Sequence, residues 1–146
     1  SLLANVLEEN VKPGCFIVIG APNYIADIFR GFYRLVGMRG PARRSFEQSL
    51  YEKTNLNPRR DFPSSLARNL SAPLLVVHDE NDLDVRIEHG EQLERDIVGA
   101  RLLRTRGLGH RRILKSDEVI EDVIDFLLEV LKNQERAKPE QKEVVK

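Results

Sequence analysis

The sequence predicts an α/β protein, a parallel sheet with flanking helices, and three observations predict it. From Pro73 onward the chain alternates: "PLLVVHD" reads as a strand, "RIEHGEQLERDI" as a helix, "ARLLRTR" as a strand and "SDEVIEDVIDFLLEVLKNQ" as a helix. Near the start, "CFIVIGAP" is a short unbroken apolar run closed by Gly and Pro, the pattern of a strand covered on both faces. The 146 residues, 41% of them hydrophobic, suit one domain with a single sizeable core.

In chain order, "SLLANVLEEN" opens inside a helical pattern, with Leu2, Leu3, Val6 and Leu7 on one face. "VKPG" stops it before the first strand. Residues 23 to 36 set Ile25, Ile28, Phe29, Phe32, Leu35 and Val36 at near-helical spacing, with Asn23 placed as an N-cap and the aromatic face expected to be buried. Gly37 and Gly40 break the chain before a helix from about Pro41 to Lys53, a turn follows at Asn57-Pro58, and "SSLARNL" fits a third short helix. Three small helices without an intervening strand predict a helical cap insertion over about 23–70. Ser116 stands where it caps the last helix, whose stripe is Val119, Ile120, Val123, Ile124, Leu127, Leu128 and Leu131. The expected domain is therefore 1–134, followed by a mobile polar tail at 135–146 that contains Pro139.

Charge excludes some functions. Lys plus Arg total 23 and Asp plus Glu total 23, so no net field recruits nucleic acid or an anionic membrane. Arg43, Arg44, Arg59 and Arg60 read as a solvated face, and the lone Cys15 as a small buried hydrophobe. No apolar stretch approaches the roughly 20 residues of a membrane span, and no signal-peptide pattern opens the chain, so the expectation is cytoplasmic.

Parallel strands joined by helices gather the loops at their carboxyl ends on one edge, where ligands usually bind. The loops richest in reactive side chains, 78–85 and 107–112, both follow such strands. A base histidine needs one ring nitrogen open and the other held by an acceptor. Asp82 and His110 are the candidates, with Gly107 and Gly109 allowing a tight turn beside the histidine. Asp79 and Asp84 compete for the carboxylate role. His78, ending a strand, and His89, in a helix that reads as surface, have weaker claims; neither joins a metal-ligand spacing, and no metal is assigned.

"APLLVVHDENDLDV", followed 28 residues after Asp82 by "GLGHRRIL", resembles the closing segment of the α/β-hydrolase fold. In that family a late strand ends in a pattern like H-G-x-x-D-x-x-V-P, whose aspartate orients the catalytic histidine. His78, Asp82 and Val85 match it, while Asp79 replaces the glycine and Arg86 the proline. Gly107, Gly109 and His110 match the histidine loop, and "FIVIGAP" is similar to the strand that precedes the family's cap. The resemblance covers roughly residues 1–133 and selects Asp82 over Asp84.

It also exposes a gap. The family's nucleophile sits in G-x-S-x-G on a strand-to-helix elbow, and Ser1, Ser45, Ser49, Ser64, Ser65, Ser71 and Ser116 all lack the flanking glycines. Cys15 enters a strand where an elbow nucleophile leaves one. The expectation is the C-terminal half of a hydrolase-like protein, cut after its elbow and inactive alone. It would supply Asp82 and His110 to acyl hydrolysis of a small-molecule substrate, and Phe29, Phe32 and Tyr33 hint at an apolar acyl group. No cofactor is implied, because no glycine-rich phosphate or dinucleotide loop is present. Two alternatives stay open: a non-catalytic α/β module, and a receiver-like domain holding magnesium on clustered acids. The latter needs at least two more strands, and the residues after Asp82 provide one clear strand.

Overall fold

The computed structural model describes residues 13–55, 63–67 and 70–137. The helix expected over 1–10, the turn at Asn57-Pro58 with Arg59 and Arg60, and the chain beyond 137 lie outside the described residues. Strands β1 (Phe16–Ile19), β2 (Leu74–Asp79) and β3 (Ala100–Thr105) form a parallel sheet in the order β1-β2-β3. Phe16 pairs with Leu74 and Ile19 with Val77; Leu74 pairs with Ala100 and Asp79 with Thr105.

Helices cover both faces. With a side-chain period of two, Leu75 and Val77 of β2 point to one side. There they meet Val119, Phe126 and Val130 of the C-terminal helix and Ile113 of the turn before it. Leu74 and Val76 point to the other side, against Leu93, Ile97 and Ala67. Every residue of β2 is buried, the polar His78 and Asp79 at its end included, and only Leu74 to Val77 read as an unbroken apolar run. Each fully buried Leu or Val there contributes about 1.5–3 kcal/mol.

Between β1 and β2 the chain forms α1 (Ile25–Leu35), α2 (Gly40–Thr54) and the short α3 (Pro63–Leu66). The aromatic face of α1 packs largely on α2: Phe29, Phe32 and Tyr33 each lie within about 6 Å of the Phe46 ring. Tyr33 is buried, while Phe32 and Ile28 keep substantial exposure and Leu35 is 85% exposed. The expected burial of that whole face is therefore only partial. A two-helix hairpin has room inside for one row of side chains.

After β2 come α4 (Ile87–Asp96), then β3, the single-turn α5 (Gly109–Arg112) and a 3-10 turn (Ile113–Lys115). The long α6 (Asp117–Ala137) closes the series and continues past Glu135. The stretch read as the loop "GLGHRRIL" thus carries two helical turns, with Ile113 anchored in the core. The stripe read on α6 is also corrected. Val119 is buried and Val123 half-buried, but Ile120, Ile124, Leu127, Leu128 and Leu131 are exposed, and Phe126 and Val130 are buried instead. The stripe spans more of the helix than one face of three strands covers. Among the described residues no helix is long and apolar enough to cross a membrane.

Two readings near the start of α1 change. Asn23 does not cap it; Tyr24 occupies the N-cap position. The Asn23 side chain instead exchanges bonds with Ser64, donating from Nδ2 to Oγ (3.1 Å) and accepting the Ser64 N–H (2.9 Å). His89 is not on a surface. It is 4% exposed, and its Nδ1 accepts the backbone N–H groups of Asn23 (3.1 Å) and Tyr24 (3.0 Å). Gln92 accepts the Tyr24 hydroxyl at 2.9 Å, and Asp96 accepts the Ser64 hydroxyl at 2.6 Å. His89, Gln92 and Asp96 thus form one polar row on α4 that grips the entry to α1 and the start of α3. A polar face that reads as solvated is here a joint between elements.

Burial pushes the His89 pKa below its ordinary 6.5, helped by His78 and Arg86 and opposed by Glu88 and Asp82. A lone pair that accepts two N–H groups is lost on protonation. The folded state therefore binds fewer protons than the unfolded chain in mild acid. Stability from this joint should be complete above about pH 6.5 and decline as pH falls below it. Melting curves between pH 7.5 and 5 should show Tm falling in the native protein and a flatter profile in His89→Gln; equal slopes would dismiss the joint. A second outcome concerns glycine. A Cβ on Gly90 would lie 2.9 Å from His78 Nδ1 and 3.1 Å from its Cβ, whereas one on Gly31 meets nothing within 4 Å. Gly90→Ala should cost about 1–3 kcal/mol, and Gly31→Ala should stabilise by about 0.5–1 kcal/mol, read by denaturant titration.

Candidate active site

Three strand ends converge at the carboxyl edge of the sheet. β2 delivers the segment Asp79 to Arg86, β3 delivers Arg106 to His110, and Gly20 follows the end of β1. The parallel register that sets Asp79 beside Thr105 makes the first two segments neighbours.

Asp82 is buried, and its two oxygens have separate partners. Oδ1 accepts the backbone N–H groups of Asp84 (2.9 Å) and Val85 (2.8 Å), folding the loop around its own side chain. Oδ2 lies 2.8 Å from His110 Nδ1. A carboxylate accepts, so Nδ1 carries the proton and donates it, which leaves the Nε2 lone pair open. No described residue bonds Nε2, and the His110 side chain is 36% exposed while that of Asp82 is fully buried. The imidazole therefore has one nitrogen fixed inside the protein and the other facing out, the arrangement of a general base.

Gly20 forms the floor of this pair. It has φ +58°, and a Cβ there would stand 3.2 Å from His110 Nδ1 and 3.7 Å from Asp82 Oδ2. A side chain there would crowd the imidazole by a few tenths of an ångström, and the positive φ itself favours glycine. Sequence reading missed Gly20; the signal was present, a glycine closing an apolar strand, but nothing local tells which strand end it would touch.

The rival acids have other surroundings. Asp84 is exposed and contributes its backbone N–H. Asp79 is fully buried; its Oδ2 accepts Thr105 Oγ1 (2.8 Å) and Leu108 N–H (3.0 Å), and its Oδ1 accepts Asn81 N–H (2.9 Å). Burial pushes its carboxyl up, but the bonds from Thr105, Gly109, Leu108 and Asn81 outweigh it and hold the pKa at about 2. Asn81 Oδ1 accepts Gly107 N–H at 3.0 Å, and Arg112 ties the carbonyls of Gly107 and Leu108. His78 is fully buried: its Nε2–H donates to Val85 O at 2.8 Å, and Nε2 is 3.8 Å from Asp82 Oδ2. His78 thus braces the acid loop from beneath. Its Nδ1 has no hydrogen-bond partner among the described residues. Among the described residues no group of three His, Cys, Asp or Glu side chains is arranged to hold a metal.

This architecture has relatives. The family model described as TAP-like protein matches residues 51–138, more than half of the chain and a span that includes both Asp82 and His110. No curated protein sequence matches. Among solved structures, the α/β hydrolase MGS-MChE2 from the metagenome of lagoon sediments at Mar Chica, Morocco, superposes with a TM-score of 0.57 at 16% identity. That match covers 88% of this chain and 55% of the other. A thermophilic esterase from Thermogutta terrifontis gives a TM-score of 0.56 at 16% identity, covering 88% of this chain and 61% of the esterase. The chain thus spans rather more than half the length of these structures, and at such identities the likeness is one of fold. With its parallel sheet, flanking helices and strand-end loops, the chain belongs to the TAP-like protein family of α/β hydrolases.

Proposed function

We propose that this chain provides the acid and base of a serine hydrolase acting on a carboxylic ester or related acyl compound, with the nucleophile supplied from outside these residues. One observation carries the reading: His110 Nδ1 meets the buried Asp82 carboxylate at 2.8 Å while Nε2 stays open. The absence of G-x-S-x-G from the 146 residues supports a nucleophile elsewhere. So does the fraction of the hydrolase structures that the chain covers.

In the proposed reaction a serine hydroxyl attacks the acyl carbonyl as its proton passes to His110 Nε2, and the carbonyl oxygen becomes an oxyanion. The imidazolium is stabilised by Asp82, which keeps its own negative charge. His110 then returns the proton to the leaving alcohol as the carbonyl re-forms. Water attacks the acyl-enzyme in the same way, giving the carboxylic acid and the free serine. Residues 1–134 act as the C-terminal part of the hydrolase domain, with α6 carrying on to Ala137, and 23–70 as a helical cap over the substrate. The aromatic hairpin around Phe29, Phe32, Tyr33 and Phe46 favours a small molecule with an apolar acyl group.

In the complete protein, His110→Ala should lower kcat/KM for a p-nitrophenyl ester at least about 1,000-fold. Asp82→Asn should act similarly, about 10,000-fold, by reversing the tautomer. Asp84→Asn, altering an exposed side chain, should leave turnover within a few-fold, and the 146 residues alone should show none above background. Full activity in His110→Ala ends the acyl-transfer reading; a large loss confined to Asp84→Asn moves the acid to position 84. Gly20→Ala should depress turnover sharply as well, because the added methyl group presses on the imidazole and the alanine must adopt a left-handed backbone.

A further inference from the structure

We infer that Asp79 is a positioning residue: a buried carboxylate that clasps the histidine loop to the acid loop and so sets the His110 ring on Asp82. The inference rests on the reading of Asp82 and His110 as an acid and base pair.

The histidine loop has little to hold it locally. It runs off β3 at the edge of the sheet, and Gly107 and Gly109, at φ +83° and +65°, leave its backbone with few preferences of its own. Its N–H groups need acceptors, and the neighbouring strand provides them. Asp79 takes Leu108 N–H and the Thr105 hydroxyl from the β3 side, and Asn81 N–H from its own loop. Leu108 stands two residues before His110, and Asn81 immediately precedes Asp82. One side chain therefore grips the backbone just ahead of each member of the pair. Asn81 repeats the motif by accepting Gly107 N–H.

The chemistry of the clasp calls for a carboxylate. All three partners donate, and only an ionised acid offers acceptor sites alone on both oxygens. An amide at 79 would aim its NH2 group at one of those donors, so the loop would have to move to relieve the conflict. Asp79 itself is enclosed, without access to substrate. Its influence on a reaction would act through the orientation of His110.

The test separates positioning from plain stabilisation. In the full chain with 15N-labelled histidines, the proton on His110 Nδ1 should give a low-field resonance, identified by its loss in Asp82→Asn. Asp79→Asn should abolish or strongly broaden that resonance while the backbone spectrum of β1 to β3 persists. Thr105→Val removes one donor, should weaken it partially, and decides the matter if Asp79→Asn does not fold. A lowered Tm with the Nδ1 resonance intact in the folded variants would overturn the inference, leaving Asp79 a stabilising residue only. In the complete protein, Asp79→Asn should lower kcat on the order of 100-fold with KM little changed. If His110→Ala keeps full ester turnover while Asp79→Asn still displaces the Nδ1 proton, the acid and base reading fails and the clasp stands.

Discussion

The geometry at the carboxyl edge of the sheet depends on the parallel pairing of β2 with β3. That register sets Asp79 beside Thr105, so the chain leaves the two strands at the same height and its loops run on as neighbours. A slip of one residue would turn every side chain of a strand to the opposite face. Leu75 and Val77 would leave the α6 face, and the loop carrying His110 would begin a residue out of step with the loop carrying Asp82. The apolar core therefore specifies the polar geometry. Burial of β2 on both faces makes the slip expensive, and the 2.8 Å contact between His110 and Asp82 inherits that cost as precision.

Polar groups at the strand ends divide their labour according to burial. Asp82 gives one oxygen to its own loop and the other to the histidine. Asp79, enclosed and surrounded by donors, remains ionised and acts as a fastener. His78 lies beneath the acid loop and supports it through the Val85 carbonyl. His89, on α4, holds the entry to α1 by accepting backbone N–H groups. Each is a titratable side chain, yet only His110 combines a fixed nitrogen with an exposed one. Residue type alone does not distinguish these tasks; the number of donors around each group does.

The same economy appears where helices meet the sheet. The α6 helix shows the core Val119, Phe126 and Val130 and leaves five large aliphatic side chains in the open. The aromatic residues of α1 turn to α2 and Phe46. Amphipathic spacing states that a helix has an apolar side; how much of that side is covered depends on the width of the surface opposite.

Periodicity, breakers and strand-end position by themselves determined the α/β class, the order of strands and helices, and the two loops that bring Asp82 and His110 together. These are properties of short stretches: a period of two or 3.6 and a Gly or Pro at the end are carried by the residues concerned. Tertiary structure alone decided that Gly20 lies under the histidine, that Asp79 holds both loops, that Asn23 bonds Ser64 instead of capping α1, and that His89 is buried. Each of those depends on a partner distant along the chain, and distances across the fold arise only when strands pair and helices pack.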